Sequence, residues 1–522
     1  MILKPTFANT AFLVLLGMAT ALQASNSEPG ATESLYQQHC ASCHGSDRLG
    51  VTGPALLPEN LSRLSREDAE NVIRNGRAAT QMSGYEKALS DDEITRLVDF
   101  IYTKPEDDLE WSQEAITASH RVPNPVDTLD PFPIYVADLM NLFLVVEKGD
   151  HHVTLLDGDR MEPITRFPTR FALHGGPKYS PDGRFVYFGS RDGWITKYDL
   201  YNLKVVAEIR AGINMRNIAV SADGEHVLAA NYLPHTMVLF DAEDLSLMEV
   251  IPAARPDENQ SAKTSWHSLE YQDAVPKAME SSRVSAVYTA PPRDSFIAAL
   301  KDIPEAWEIR VVDGEAEVRR MKTETHLDDF FFDQDYQHLI GAARNGENGH
   351  VIDLDTGKTI ATLPLPGMPH LGSGITWEYE GRRVMATPHF RTGAVSIIDM
   401  ENWEVLKTLE TDGPGFFMRS HENSRYAWVD VFFGPNSDKV HVIDKQTLEI
   451  EKTLQPEPGK TSAHVEFDRY GEKLLLSIWD DDGAVIVYDA DTLEELKRIP
   501  MKKPSGKYNV WNKTQYEEGT SH

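Results

Sequence analysis

The chain has 522 residues with 51 basic and 81 acidic side chains, a formal charge of −30. Nucleic-acid binding rests on neutralising phosphates, so this acid excess speaks against nucleic acid and suits solubility or a basic partner. With only two cysteines no disulfide framework is available, and the length requires a small domain plus a large one built from repeats.

In chain order, the first residues read as an export signal. Lys4 precedes an apolar run from Ala11 to Leu22, and small residues follow at Ala19, Ala21 and Ala24. The run is short for a bilayer span. Residues 1–24 are therefore predicted to be a cleaved signal peptide, leaving a periplasmic protein without a membrane span; the alternative is an uncleaved anchor.

Residues 25–104 are predicted to form a small all-α c-type cytochrome domain. Its centre is Cys40-Ala-Ser-Cys43-His44, in which two thiols at this spacing form thioethers to haem vinyl groups and the following imidazole ligates the iron. A helix is expected over Glu33–Cys40. A second is expected over Ile94–Tyr102, opened by a capping box from Ser90 to Glu93 and apolar at Ile94, Leu97, Val98 and Ile101. Met82, in the loop ahead of that helix, is the expected second axial ligand, because a thioether holds haem iron at a raised potential. An iron held by His44 and Met82 has no open position, so it passes electrons and does no bond chemistry.

The stretch 105–133 is rich in Pro, Asp and Glu, lacks a sustained apolar period and reads as a linker. From 134 to 522 the chain repeats itself, each unit ending a strand on aspartate: Asp157, Asp199, Asp241, Asp302, Asp353, Asp399, Asp444 and Asp489. The gaps are 42, 42, 61, 51, 46, 45 and 45 residues, the longest holding a charged insertion. That period suits four-stranded blades, and eight endings predict an all-β eight-bladed propeller.

A repeat allows positions to be compared blade by blade. Ahead of each turn stand His174, Arg216, His326, His370 and His464, which are expected to face one central channel. A second set at the next hairpin comprises Arg191, Asn231-Tyr232, Arg344, His389 and one of His151 or His152, since alternation lets only one of that adjacent pair point inward. Such a channel can hold a large, planar, metal-bearing carboxylate compound. Imidazole takes the metal, guanidinium pairs with carboxylates, and aromatic residues such as Tyr232 or Trp479 cover the ring faces. A polar channel filled only with water is the plainer alternative.

Taken together, these features resemble the cytochrome cd1 family, a small c-type haem domain ahead of an eight-bladed propeller that carries haem d1. The motifs are Phe171-Ala-Leu-His174, Ser190-Arg-Asp-Gly-Trp194, Met215-Arg216, Met368-Pro-His370, Thr387-Pro-His389, Ser420-His421 and Ser505-Gly-Lys-Tyr508-Asn509. The resemblance implies that His174 is the proximal iron ligand, that Arg191 and Arg216 pair with macrocycle carboxylates, and that His326 lies near one of two distal histidines of the nitrite reductases. The other distal histidine has no counterpart, the matching stretch running from Val287 to Phe296 without one. Nitrite reduction consumes two protons at the iron-bound oxygen, so this departure resembles instead the branch that dehydrogenates dihydro-haem d1.

In that branch the macrocycle is substrate and then product: a propionate becomes an acrylate, and electrons leave through the covalent c haem. His421 is then the first candidate base, His326 an iron ligand or second acid/base, and Arg293 a carboxylate clamp. Expected partners are the tetrapyrrole, an electron-accepting redox protein, and nitrite reductase or other haem d1 maturation proteins. A cytochrome cd1 nitrite reductase and a non-catalytic haem d1 carrier or electron-transfer protein stay open beside it.

Overall fold

The computed structural model describes residues 30–51, 53–62, 64–77, 82–105, 109–256, 279–342 and 346–515. The expected signal peptide lies outside the described residues.

Five helices come first: α1 (Ala31–His39), α2 (Ala41–His44), α3 (Pro58–Leu61), α4 (Arg66–Asn75) and α5 (Asp91–Ile101). Side chains satisfy the N–H groups that a helix start leaves open. The Ser65 hydroxyl accepts from Asp68 ahead of α4, and Ser90 and Glu93 form a reciprocal capping box ahead of α5. α5 then buries the stripe Ile94, Leu97, Val98 and Ile101 against Tyr36 of α1 and Ala69 and Ile73 of α4. No helix among the described residues is long and apolar enough to cross a membrane.

The segment expected to be a linker is a strap packed on the propeller. α6 (Gln113–Ser119) buries Ile116, and Trp111, Val122, Val126 and Leu129 pack with it on the second and third blades. The Trp111 Nε1–H donates to the Arg210 carbonyl (3.0 Å) and the Asn124 amide to the Val205 carbonyl (2.8 Å). The strap follows the outer contour of the blades, so its apolar residues keep neither a helical nor a strand period.

Eight four-stranded antiparallel sheets form the propeller. Blade 1 is ordered Glu162–Pro168, His152–Asp157, Leu142–Glu147 and Pro504–Asn509, so the last strand of the chain closes the ring, with Phe143 opposite Asn509. The repeated aspartate ends a third strand because its carboxylate caps the next turn: Asp399 accepts from the Glu401 and Asn402 N–H groups (2.8 and 3.0 Å), and Asp444 from Gln446 and Thr447 (2.7 and 3.1 Å). Blade 4 corrects the reading of Asp302. Its third strand, Glu305–Val312, ends at Asp313, whereas Asp302 lies one hairpin earlier, paired with Arg283 (2.6 Å).

Antiparallel pairing gives every blade the same polarity. The innermost strand starts at one end of the channel, here the near end, and the hairpin between second and third strands returns there. The turn after the innermost strand and the aspartate turns lie at the far end. At the near end sits the helical domain: Asn60 donates to the Ile213 carbonyl (3.0 Å), Arg210 donates to the Gly50 carbonyl (3.1 Å) and to that of Leu49, and Ala55 and Leu57 bury Ile213. The far end carries α7 (Val510–Thr514), tied down by Asn512 donating to Glu466 (2.8 Å) and to the Phe467 carbonyl (2.9 Å).

Candidate active site

In the helical domain Cys40 follows α1 and α2 carries Cys43 and His44, so one tight turn presents both cysteine sulfurs and the imidazole. The Nδ1–H of His44 donates to the Pro54 carbonyl (2.8 Å), which fixes the tautomer and leaves Nε2 with its lone pair. Gly53 lies flat on this ring: a Cβ there would come within 2.7 Å of Cε1. Burial holds the His44 pKa below its ordinary value, keeping the ring neutral as a ligand must be. Met82 is half-buried against the cluster that includes Tyr36, Cys40 and Tyr85, and its carbonyl accepts from the Arg77 N–H (2.9 Å). Two thiols, an oriented imidazole and a thioether on one apolar cluster fit a covalent haem.

The near end of the propeller gathers the rest. Ahead of the innermost strand of blade 2, the Nδ1–H of His174 donates to the Arg216 carbonyl (2.6 Å), the same orienting arrangement as in His44, and the Arg216 guanidinium rests on His174 Nε2 (2.6 Å). Arg216 also donates to the Ser285 carbonyl (3.0 Å). Tyr232 is ringed by cations, with Arg191, Arg283 and Lys301 at 5.8, 5.6 and 5.8 Å from its ring centre. On the opposite side His370 stands between Phe390 and Phe416, both at 4.5 Å, and aromatic contacts continue through Phe417, Phe432 and Phe433 to Trp479.

His370 Nδ1–H donates to the Phe416 carbonyl, and Nε2 lies 3.8 Å from Asp329. Asp329 in turn accepts from the Gly372 N–H (2.7 Å) and the Tyr288 hydroxyl (3.1 Å). Burial depresses the pKa of His370, with Asp329 opposing the shift. His464, 1% exposed, is held between Phe417 (4.6 Å) and Tyr508 (5.2 Å). His151 occupies the near hairpin of blade 1, its ring 5.0 Å from Phe171, while its neighbour His152 turns to the Asp150 carbonyl (2.9 Å). Arg77 of the helical domain covers Phe171 (5.8 Å), and burial together with this cation lowers the pKa of His151 to about 4. His326 stands exposed at the rim ahead of the innermost strand of blade 5.

Three expected site residues do not join this ring. His421 is fully buried in the turn after the innermost strand of blade 7, at the far end, under Gly471, where a Cβ would lie 2.5 Å from its ring. Arg293 is in the far-end turn of blade 4, saturated by Glu308 (3.1 Å) and Asp355 (2.7 Å), so it clamps blade 4 to blade 5. His389 has both nitrogens engaged inside its own blade, Nδ1 with the Pro366 carbonyl (2.6 Å) and Nε2 with Ser396 (2.9 Å). The stretch Val287 to Phe296 runs down the channel into that far-end turn, so its lack of histidine carries no information about the near end. Arg344 lies outside the described residues.

Residues 137–513 match the cytochrome D1 heme domain family. The chain belongs to that family. Residues 28–101 match the cytochrome c oxidase, cbb3-type, subunit III family. The N-terminal domain is thus a cytochrome c domain carrying covalent haem, and the propeller is of the haem d1-binding kind. Among curated relatives, the dihydro-heme d1 dehydrogenase of Pseudomonas aeruginosa is 56% identical over 510 residues, covering 98% of each chain. The nitrite reductase of Stutzerimonas stutzeri is 25% identical, also over 98% of each. A solved structure, dihydro-heme d1 dehydrogenase NirN in complex with DHE, superposes with TM-score 0.86 at 56% identity, covering 92% of this chain and 99% of that one.

Within this d1 domain the sequence reading missed Arg283, Lys301, Asp329 and the paired phenylalanines. Phe416-Phe417 and Phe432-Phe433 stand in the sequence as doublets. The two cations are hidden in the sequence because Lys301-Asp302 resembles the end of a third strand.

Proposed function

We propose that this chain is a periplasmic dehydrogenase that converts a propionate side chain of dihydro-haem d1 into an acrylate. The observation that carries this reading is the 56% identity, over 98% of both chains, to a relative of that activity. The expected signal at residues 1–24 and the covalent haem support the compartment, a redox protein is the proposed recipient of the electrons, and nitrite reductase or another maturation protein that of the product.

The reaction breaks two C–H bonds on adjacent carbons, forms one C=C π bond, and releases two protons and two electrons. Arg191 and Arg216 are the groups that hold the carboxylates, and Arg283 and Lys301, paired with Asp302 and Asp328, add positive charge beside them. His174 and the rim residue His326 are the candidate iron ligands. The aromatic wall from Phe390 to Trp479 excludes water from the ring faces. His370 replaces His421 as the base: burial keeps it neutral, the Phe416 carbonyl holds Nδ1–H so that Nε2 is the acceptor, and Asp329 stabilises the imidazolium that forms. Covalent haem, held by Cys40, Cys43 and His44 with Met82, supplies one-electron acceptance when bound. Arg210, Asn60 and Ile213 fix its domain over the near end.

The haem-loaded protein given dihydro-haem d1 and a one-electron acceptor is expected to return a macrocycle lighter by two hydrogens. Nitric oxide made from nitrite with the macrocycle unchanged would select the nitrite-reductase reading instead, and binding with neither reaction would select a carrier.

A further inference from the structure

A proton taken up at His370 starts from a place walled on the near side by Phe390, Phe416 and Phe417. Behind His370 the chain of contacts runs the other way. Nε2 faces Asp329 (3.8 Å), and the opposite oxygen of that carboxylate accepts from the Tyr288 hydroxyl (3.1 Å). Tyr288 in turn lines a cavity of about 110 Å³, shared with Lys178, Thr289 and Lys513 and reaching Ser180 and Ser221 in the far-end turns of blades 2 and 3. That volume holds several waters. Among the described residues Thr289 Oγ1 is buried there without a hydrogen-bond partner, as a group that serves water would be.

We infer that His370, Asp329 and Tyr288 hand the substrate's proton down the hub of the propeller into this cavity, and that Lys178 and Lys513 release it at the far end. The inference rests on the dehydrogenase reading. Each proton follows a C–H bond broken at the macrocycle: it moves to His370 Nε2, then to Asp329, then through the Tyr288 oxygen to cavity water as the phenol passes its own proton on. The electrons go separately to the covalent haem and from there to an external one-electron acceptor.

The charges around the route suit it. Lys178 lies over the Tyr288 ring (5.5 Å), and burial with Arg419 beside it brings its pKa down to about 8. Lys513 is pushed well below the ordinary lysine value by burial and Arg419, against the opposing Glu466, with Lys178 adding to the depression. His370 is faced by Asp329, Arg216 and Arg419. Two amines whose pKa values burial lowers, Lys178 beside the Tyr288 ring and Lys513, share the cavity with the phenol that meets Asp329, which gives the proton an exit.

The test compares the full haem-loaded chain with Tyr288→Phe, which keeps the ring against Phe330 (5.0 Å), and with Lys178→Met. Each variant is expected to bind dihydro-haem d1 with the wild-type spectrum yet convert it about tenfold or more slowly, with a raised solvent isotope effect and recovery on adding imidazole buffer. Before macrocycle is added, lysine-labelled NMR is expected to show an amine titrating near pH 8 that Lys178→Met removes. Wild-type rates in both variants from acid to alkaline pH, or an ordinary lysine titration, would overturn the exit route. Failure of the wild-type chain to convert the macrocycle would instead overturn the dehydrogenase reading and the route with it.

Discussion

The two ends of the propeller hub use the same residue types for opposite purposes. At the near end His174 and His370 direct Nδ1–H to backbone carbonyls and turn Nε2 to a charged neighbour, Arg216 or Asp329, and Arg191 and Arg283 flank the one tyrosine Tyr232. At the far end His421 is sealed under Gly471, and Arg293 is consumed by two carboxylates from neighbouring strands. A histidine or arginine near an innermost strand therefore gains its role from the end of the strand at which it stands. Polarity, which antiparallel pairing fixes for all eight blades, decides which end a side chain reaches.

The sharpest way to break this contrast is to remove one histidine from each end. His174→Ala is expected to abolish the spectrum of the bound macrocycle while leaving the melting temperature close to wild type. His421→Ala should do the reverse: its cavity and the lost bond from the Asn423 N–H (3.1 Å) cost about 2–3 kcal/mol of stability, with binding unchanged. Spectral titration beside thermal melting reads both. A macrocycle spectrum altered by His421→Ala would return that residue to the active site.

What the sequence made legible follows the range of the interactions involved. The haem attachment turn, the capping box at Ser90 and Glu93 and the aspartate that caps each third strand are local, within a few residues, and stand out in one dimension. The end of the channel is not local. Blade 7 has an innermost strand of only two residues, Met418–Arg419, so His421 looks from the sequence as if it precedes the strand at Tyr426, when it follows the short one. In blade 6 His370 does precede a full strand, Ile375–Tyr379. The insertion before Val284 displaced the count by one hairpin, which turned Lys301 and Asp302 from near-end residues into a false strand end. The aromatic wall and the pairing of His370 with Asp329 join different blades, so no spacing rule reaches them.

Two arginines sharpen the comparison at smaller effect. Arg283→Ala removes one of three cations around Tyr232 and is expected to weaken macrocycle binding about tenfold, with little change in stability. Arg293→Ala leaves Glu308, 2% exposed as a side chain, with Arg319 (2.9 Å) and Ser295 (3.1 Å) but without the ion-paired clamp to Asp355 of blade 5. It is expected to cost about 1–2 kcal/mol in a denaturant melt and to leave the binding constant alone.

The smallest effect separates the ends by pH. Near-end His151 has a folded pKa of about 4, lowered by burial and then by Arg77, from an ordinary value of 6.5. The unfolded chain binds that proton first, so stability should rise as the pH climbs from about 4 to 6.5 and be flat above, as far as this group is concerned. His370 and His464 shift in the same direction through burial and add to the same slope. Far-end carboxylates act lower. Asp353 and Asp489 are held below the ordinary 3.8 chiefly by the backbone N–H groups of Thr356 and Thr492, so their contribution is complete above that value and is lost as the pH falls through their folded values. Denaturant midpoints measured across both windows should therefore respond separately: His151→Gln flattens only the upper slope, and Asp489→Asn only the lower. A His151→Gln protein whose upper slope matches wild type would show that Arg77 and Phe171 do not hold that imidazole neutral, and with it that the cytochrome domain does not seal this part of the near end.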